Sequence, residues 1–222
     1  MRGWSLRSGT SPALRANSAF PFADDADLGE ETLSGIELYF RDRARVPAFR
    51  ITPFGHGPEL DSRLAEVEYE RLEETWVMTR EVRNGIERPS EARYVEDDEA
   101  WLDMLAQVGR QPIRIRAHYG AILPRAPRDR IRVAIESDGQ VVAVALGLIH
   151  DAWVGLFDVV TDPDHRGRGH ARAAIRGVLA EASARDVRET FLYVTSDNDR
   201  ALELYTGLGF REAFRYHYRV LR

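Results

Sequence analysis

Two arginines and two glycines share one short turn, Arg166-Gly167-Arg168-Gly169, directly after Asp162-Pro163-Asp164-His165. An apolar run from Trp153 to Val160 leads into it and reads as a buried strand. Ala171, Ala174, Ile175, Val178, Leu179 and Ala182 follow at helical spacing and predict a helix over about 168–185. A strand feeding a glycine-rich turn that opens a helix is suited to holding an anion. Glycine lets the backbone come close, the first helical N–H groups point outward, and the positive end of the helix dipole favours phosphate. Arginines in the same turn add charge-assisted hydrogen bonds. The chemistry indicated is pyrophosphate binding.

Two nucleotide readings fail on residue identity. A P-loop ends in Lys-Ser or Lys-Thr, and neither follows Gly169. The dinucleotide turn needs a third glycine where Arg172 stands, and it follows the first strand of a parallel unit, whereas antiparallel hairpins precede this one.

The elements that position the turn alternate along the chain. Strand-like alternation over 2–7 and 13–20 is followed by a helix carrying Leu33, Ile36, Tyr39 and Phe40 and by a strand over 47–52. A helix starting at Pro58 and a strand over 70–81 come next, and 84–90 is a linker. Ala92 to Glu96 is a strand, and Asp97-Asp98 caps a helix with Trp101, Met104, Leu105 and Val108. A second helix covers 111–124. Strands over 131–136 and 141–149 flank the hairpin turn Ser137-Asp138-Gly139, ahead of a strand over 153–161. Past the central helix come a strand over 190–195, a short helix from Asn198 to Thr206, and a last strand from Phe210. Shifted by about 142 residues, the first part overlays the last as a weak internal repeat. In that overlay Asp24, Ala26 and Asp27 stand where Arg166, Arg168 and Gly169 do, so the first copy has lost its anion site.

The chain has 222 residues and a net charge of −5, which argues against a general nucleic-acid surface. The absence of cysteine excludes disulfides, thiolate catalysis and cysteine-ligated metals. His165 and His170 have no metal-ligand spacing with another histidine, so no metal is expected. No apolar stretch has signal-peptide or bilayer-spanning length, and a cytoplasmic protein without membrane contact is expected. The abrupt start within strand-like sequence leaves a true beginning upstream of Met1 open.

Arg166-x-x-Gly169-x-Ala171, after Val159-Val160-Thr161-Asp162-Pro163, resembles the acetyl-coenzyme A motif of the GNAT (Gcn5-related N-acetyltransferase) superfamily. The superfamily's next segment is matched in order by Phe191 to Val194, Asn198, Ala201, Leu204-Tyr205 and Gly207-Leu208-Gly209-Phe210. The resemblance covers about residues 91–222. The whole chain is similar to bacterial two-part GNAT proteins that end in a Tyr-x-Tyr-His-Tyr-like strand, here Tyr216-His217-Tyr218.

The resemblance implies roles. Main-chain groups of Val159, Val160 and Thr161 would pair with the pantetheine arm, and Arg166, Gly167, Arg168, Gly169, His170, Ala171 and Arg172 would wrap the pyrophosphate. Asn198 would hydrogen-bond the ligand, cap its helix, or both. Tyr205 would act as general acid towards the departing thiolate. Asp158, in an apolar run, would be the general base, its pKa raised by burial, with binding of a cationic acceptor or a structural role as the alternatives. His150 and His217 are alternative bases. Arg110, Arg114, Arg116 and Arg125 to Arg132 make 110–132 basic, either a solvated face or a border favouring an acidic acceptor.

The expectation is a mixed α/β protein of GNAT fold, with a central, mostly antiparallel sheet flanked by helices. A degenerate half-domain (1–83) would precede the acetyltransferase domain (84–222). Its function would be transfer of an acetyl group from acetyl-coenzyme A (acetyl-CoA), a co-substrate, to a primary amine of a small molecule or peptide, by direct attack in a ternary complex. A non-catalytic acyl-CoA sensor is the alternative, and a homodimer stays open.

Overall fold

A computed structural model describes residues 1–9 and 11–221, without the side chains of 112–115 and 121; Arg114 of the basic stretch thus lies outside the described residues. In chain order the elements are β1 (Trp4–Leu6), β2 (Ala19–Pro21), α1 (Glu30–Arg41), β3 (Ala48–Ile51), α2 (Gly57–Glu66) and β4 (Glu70–Glu81). Then come β5 (Ala92–Tyr94), α3 (Asp98–Gly109), α4 (Pro112–Ile122), β6 (Arg130–Ser137), β7 (Gln140–His150) and β8 (Trp153–Thr161). The last are α5 (His170–Ala184), β9 (Glu189–Thr195), α6 (Asp199–Thr206) and β10 (Arg211–Val220). Two compact units interleave: residues 1–77, 194–199 and 212–222 form one, and residues 78–193 and 200–211 the other.

In the first unit the strands are ordered β1-β2-β3-β10-β4. β2 and β3 are parallel, whereas β10 runs antiparallel to β3 with His217 opposite Ile51 and Val220 opposite Ala48. Helix α1 turns Ile36 and Phe40, one turn apart, onto Trp4, Phe49, Leu60 and Tyr69. The alternation over 13–20 yields only three residues of strand. Asn17 is the cause: its buried amide donates to Ser11 O (2.5 Å) and Ala13 O (3.0 Å) and accepts from Gly9 N (3.0 Å), giving the backbone a local alternative to the ladder. A single 3-10 turn, Leu14–Ala16, forms instead.

In the second unit the end of β4 is followed by β9, β8, β7, β6 and β5. β5 with β6, β6 with β7 and β7 with β8 pair antiparallel, and β8 with β9 pairs parallel. Alternation along β6 and β7 is weak because both faces are covered. On one face Trp101, Leu102, Leu105 and Val108 of α3 pack on Ala134, Val144 and Leu146. On the other, α5 crosses β6, β7 and β8 with Ala174, Ile175, Val178 and Leu179 fully buried. Glycines allow that approach: a Cβ on Gly147 would stand 2.7 Å from Val178 Cγ1, and one on Gly177 2.9 Å from Val133 Cγ1. Asp97 caps α3 by accepting from Ala100 N at 2.8 Å. The mixed α/β class with a mostly antiparallel sheet flanked by helices is the one predicted.

Candidate cofactor-binding and catalytic site

The end of β8 departs from regular pairing on both edges. Towards β7, Phe157 stands opposite Leu146 and Val160 opposite Val144, so Asp158 and Val159 together oppose the single Ala145. This is a β-bulge, and its extra residue is Asp158, at φ 49°. A carboxylate residue in the left-handed region inside an apolar strand is strained, and such strain concentrates at functional sites. Towards β9 the parallel ladder covers Trp153 to Gly155, opposite Glu189 to Phe191, and no pair continues it among the described residues. Phe157 and Val160 pack against the α3 cluster, and Val159 and Thr161 are half-buried. Thr161 Oγ1 is buried without a hydrogen-bond partner among the described residues.

The chain then turns sharply. Asp162 N donates to Val142 O (2.8 Å), and the Asp162 carboxylate accepts from Asp164 N (2.9 Å), closing the 3-10 turn Pro163–His165. His165 Nδ1 lies 3.2 Å from the same carboxylate. Arg110, the left-handed residue directly after α3, reaches both Asp162 oxygens and Asp164 Oδ2. Partial burial would raise the Asp162 pKa, but the Asp164 N–H, His165 and Arg110 outweigh it and hold the carboxyl below its ordinary value. Gly167 (φ 79°) and Gly169 (φ 86°) follow in the left-handed region, and a Cβ on either would meet open space. The space beside them is therefore free for a ligand. Because Gly169 is left-handed it cannot join the helix, so α5 starts at His170 instead of 168. Arg166, Arg168 and Arg172 are exposed, and the Arg172 guanidinium donates to Gly207 O at 3.0 Å.

Tyr205, near the end of α6, meets Phe210 edge-on at 5.9 Å, and burial raises its phenol pKa. The chain closes past it through Phe210 N to Tyr205 O (3.0 Å). Asn198 belongs to the first unit, where its N–H donates to Thr195 O (3.1 Å) just ahead of α6. Asp158, Val159, Val160, Thr161, the residues 166–172 and Tyr205 all fall in the second unit. His150 is exposed beside Asp151, and His217 is buried against Asp61 in the first unit. Within the basic stretch Arg116 pairs with Glu99 and Asp103, and Arg130 and Arg132 share Asp98, so these cations are already engaged in ion pairs. Among the described residues no group of three His, Asp or Glu is placed to hold a metal ion. The Arg110 brace on Asp162 was not anticipated; its one trace is an arginine where helices usually end in glycine or asparagine.

The N-terminus of α1 contrasts with that of α5. Asp27 Oδ1 accepts from Gly29 N at 2.9 Å and Oδ2 from the Thr32 hydroxyl, and these bonds lower its pKa. The protein's own carboxylate thus sits where α5 leaves open space.

A family model described as "Probable histone acetyltransferase Rv0428c C-terminal" matches residues 1–219. "Uncharacterized N-acetyltransferase YobR" of Bacillus subtilis is 28% identical over 229 residues, covering 99% of this chain and 90% of that protein. A "Mycothiol acetyltransferase" of Actinosynnema mirum is 30% identical over 212 residues, covering 86% of this chain and 68% of its own. Among solved structures, a GCN5-related N-acetyltransferase from Sphaerobacter thermophilus shares the fold with a TM-score of 0.68 at 21% identity, covering 92% of this chain and 73% of that one. The chain therefore belongs to the Rv0428c C-terminal acetyltransferase family and is a GNAT-type N-acetyltransferase.

Proposed function

We propose that the protein transfers an acetyl group from acetyl-CoA to a primary amine of a small molecule or peptide, by direct attack in a ternary complex. The observation that carries this reading is the double break in β8, where the bulge at Asp158-Val159 and the end of the β9 ladder expose one stretch of main chain. Such a strand end accepts an extended amide-bearing arm as a further partner, and the unpartnered Thr161 Oγ1 supplies one more hydrogen bond. The backbone N–H groups of Gly167 to Arg172 would hold the pyrophosphate, with Arg166 and Arg168 adding charge.

The bound cofactor supplies an activated thioester carbonyl. The N–H of Val159 or Val160, re-aimed by the bulge, would polarise that carbonyl. Tyr205 would give its proton to the departing sulfur, and its raised pKa keeps the phenol protonated at neutral pH. Asp158 would take the ammonium proton, directly or through water. The 1–83 segment is, in this reading, a degenerate half-domain whose α1 terminus is filled by Asp27, so one cofactor binds per chain. No helix among the described residues is long and apolar enough to cross a membrane, and the proposed setting is the cytoplasm.

Tyr205→Phe tests the reading through calorimetry with acetyl-CoA and thiol release over a panel of amines, amino acids, aminoglycosides and lysine peptides. Cofactor affinity should hold while turnover falls at least about tenfold. Unchanged turnover removes Tyr205 from the mechanism. A wild-type protein that binds the cofactor but turns over nothing in the panel favours the sensor alternative.

A further inference from the structure

A second cationic feature lies apart from the glycine turn. An open cavity of about 900 Å³ in the second unit is lined by Arg80 at the end of β4, Arg83 just beyond it, and Arg211 at the start of β10. Leu208 and Phe210, both buried, give it an apolar wall, and Glu81 and Glu189 complete the charged lining. Among the described residues none of the three arginines has a carboxylate within ion-pair distance. In the same unit Arg88, Arg93, Arg110, Arg185 and Arg188 each do. Like charges gathered without counterions repel, and a folded chain of net charge −5 has carboxylates to spare for neutralising them.

Arg80 is the half-buried member of the group. Burial first, then the fields of Arg83 and of Arg176 on α5, push its pKa below the ordinary arginine value. An anion relieves both effects. The loop behind it leaves room: a Cβ on Gly209 would come within 3.9 Å of Arg80 Nε.

We propose that this cavity is a second anion site, one that takes a phosphate group, free or carried on a small molecule. Guanidinium forks match phosphate oxygens in pairs, and the three lining arginines exceed the two lining glutamates by one positive charge. A volume of about 900 Å³ admits the rest of a small organic phosphate. None of residues 159–172 lines this cavity; Arg168, Gly169 and His170 open onto a separate one of about 450 Å³.

The test is calorimetric titration of the full chain with inorganic phosphate at constant ionic strength, in the presence of saturating coenzyme A. Wild type should bind phosphate, and the Arg80→Gln, Arg211→Gln double variant should lose at least about tenfold in affinity while still binding coenzyme A. If that variant does not fold, the exposed pair Arg83→Gln, Arg211→Gln gives the same readout. Tighter binding of ribose 5-phosphate than of inorganic phosphate identifies an organic phosphate as occupant, and equal binding identifies the free ion. Equal phosphate affinity in wild type and a folded variant overturns the proposal, as does phosphate binding that vanishes once coenzyme A saturates the protein.

Discussion

Arg110 holds Asp162 with two hydrogen bonds from one nitrogen, 3.0 Å to Oδ1 and 3.1 Å to Oδ2, across 52 residues of sequence. The same guanidinium bonds Asp164 at 2.5 Å, so α3 steadies the segment that enters the glycine turn. The pair is solvent-exposed, which makes its contribution to global stability small and salt-sensitive. Arg110→Gln should raise the KM for acetyl-CoA a few-fold with little change in kcat, and added salt should shrink the difference. Steady-state kinetics over a range of ionic strength would show this; a fall in kcat alone would contradict a positioning role.

Gly169→Ala isolates backbone conformation, because a Cβ there meets nothing within 4 Å. The φ of 86° is the whole obstacle. The variant should lose about 1 kcal/mol of stability by urea unfolding. Its affinity for acetyl-CoA should fall on the order of tenfold as the first N–H groups of α5 re-aim. Unchanged affinity would mean that the turn does not bind the cofactor.

Asp98 anchors the start of α3 to β6 by pairing with both Arg130 and Arg132, whose side chains are 6% and 11% exposed. Asp98→Ala leaves two buried guanidinium groups uncompensated and should cost about 3 kcal/mol in urea unfolding. Asp98→Asn keeps an acceptor for one of the two arginines and turns an N–H donor towards the other, so it should recover only part of that loss.

The buried group of Asp61, His217 and Arg219 predicts an acid limit. Asp61 Oδ1 lies 2.8 Å from His217 Nε2 and accepts from Arg219 Nε at 2.7 Å. Burial lowers the His217 pKa below 6.5, outweighing the upward pull of Asp61, with Arg71 and Arg219 adding to the fall. Because the unfolded chain binds this proton more readily, the stability from neutral His217 is present above pH 6.5 and is lost as pH falls through the folded pKa. Burial would raise the Asp61 pKa, but its two partners hold it below 3.8, so its contribution survives to lower pH. The melting temperature should therefore decline from pH 7.5 to 5.5 in wild type and less steeply in His217→Gln. Parallel profiles would remove His217 as the cause.

Much of this was legible from residue order. The β6–β7 hairpin announces itself by Ser137-Asp138-Gly139, where Asp138 and Gly139 take positive φ, and α3 by its Asp97 cap. The glycine turn is read from type and spacing alone. The bulge at Asp158 is not, because a left-handed carboxylate residue leaves the apolar pattern of the strand intact. Nor is the Arg110 brace, since pairing at long sequence separation has no local signature. The overestimate of β2 has a single source, the side-chain bonds of Asn17, which periodicity does not register.

The last strand has a temporal consequence. β10 pairs with β3, and its Arg219 bonds Asp61 across 158 residues. On the ribosome the first unit is thus made early but lacks its partner strand until nearly all of the second unit has been synthesised. Through that interval β3 presents an unsatisfied edge, the kind of surface to which chaperones bind and through which nascent chains associate. Ribosome-stalled chains ending before residue 212 should expose the first unit to protease, and release of the last strand should protect it.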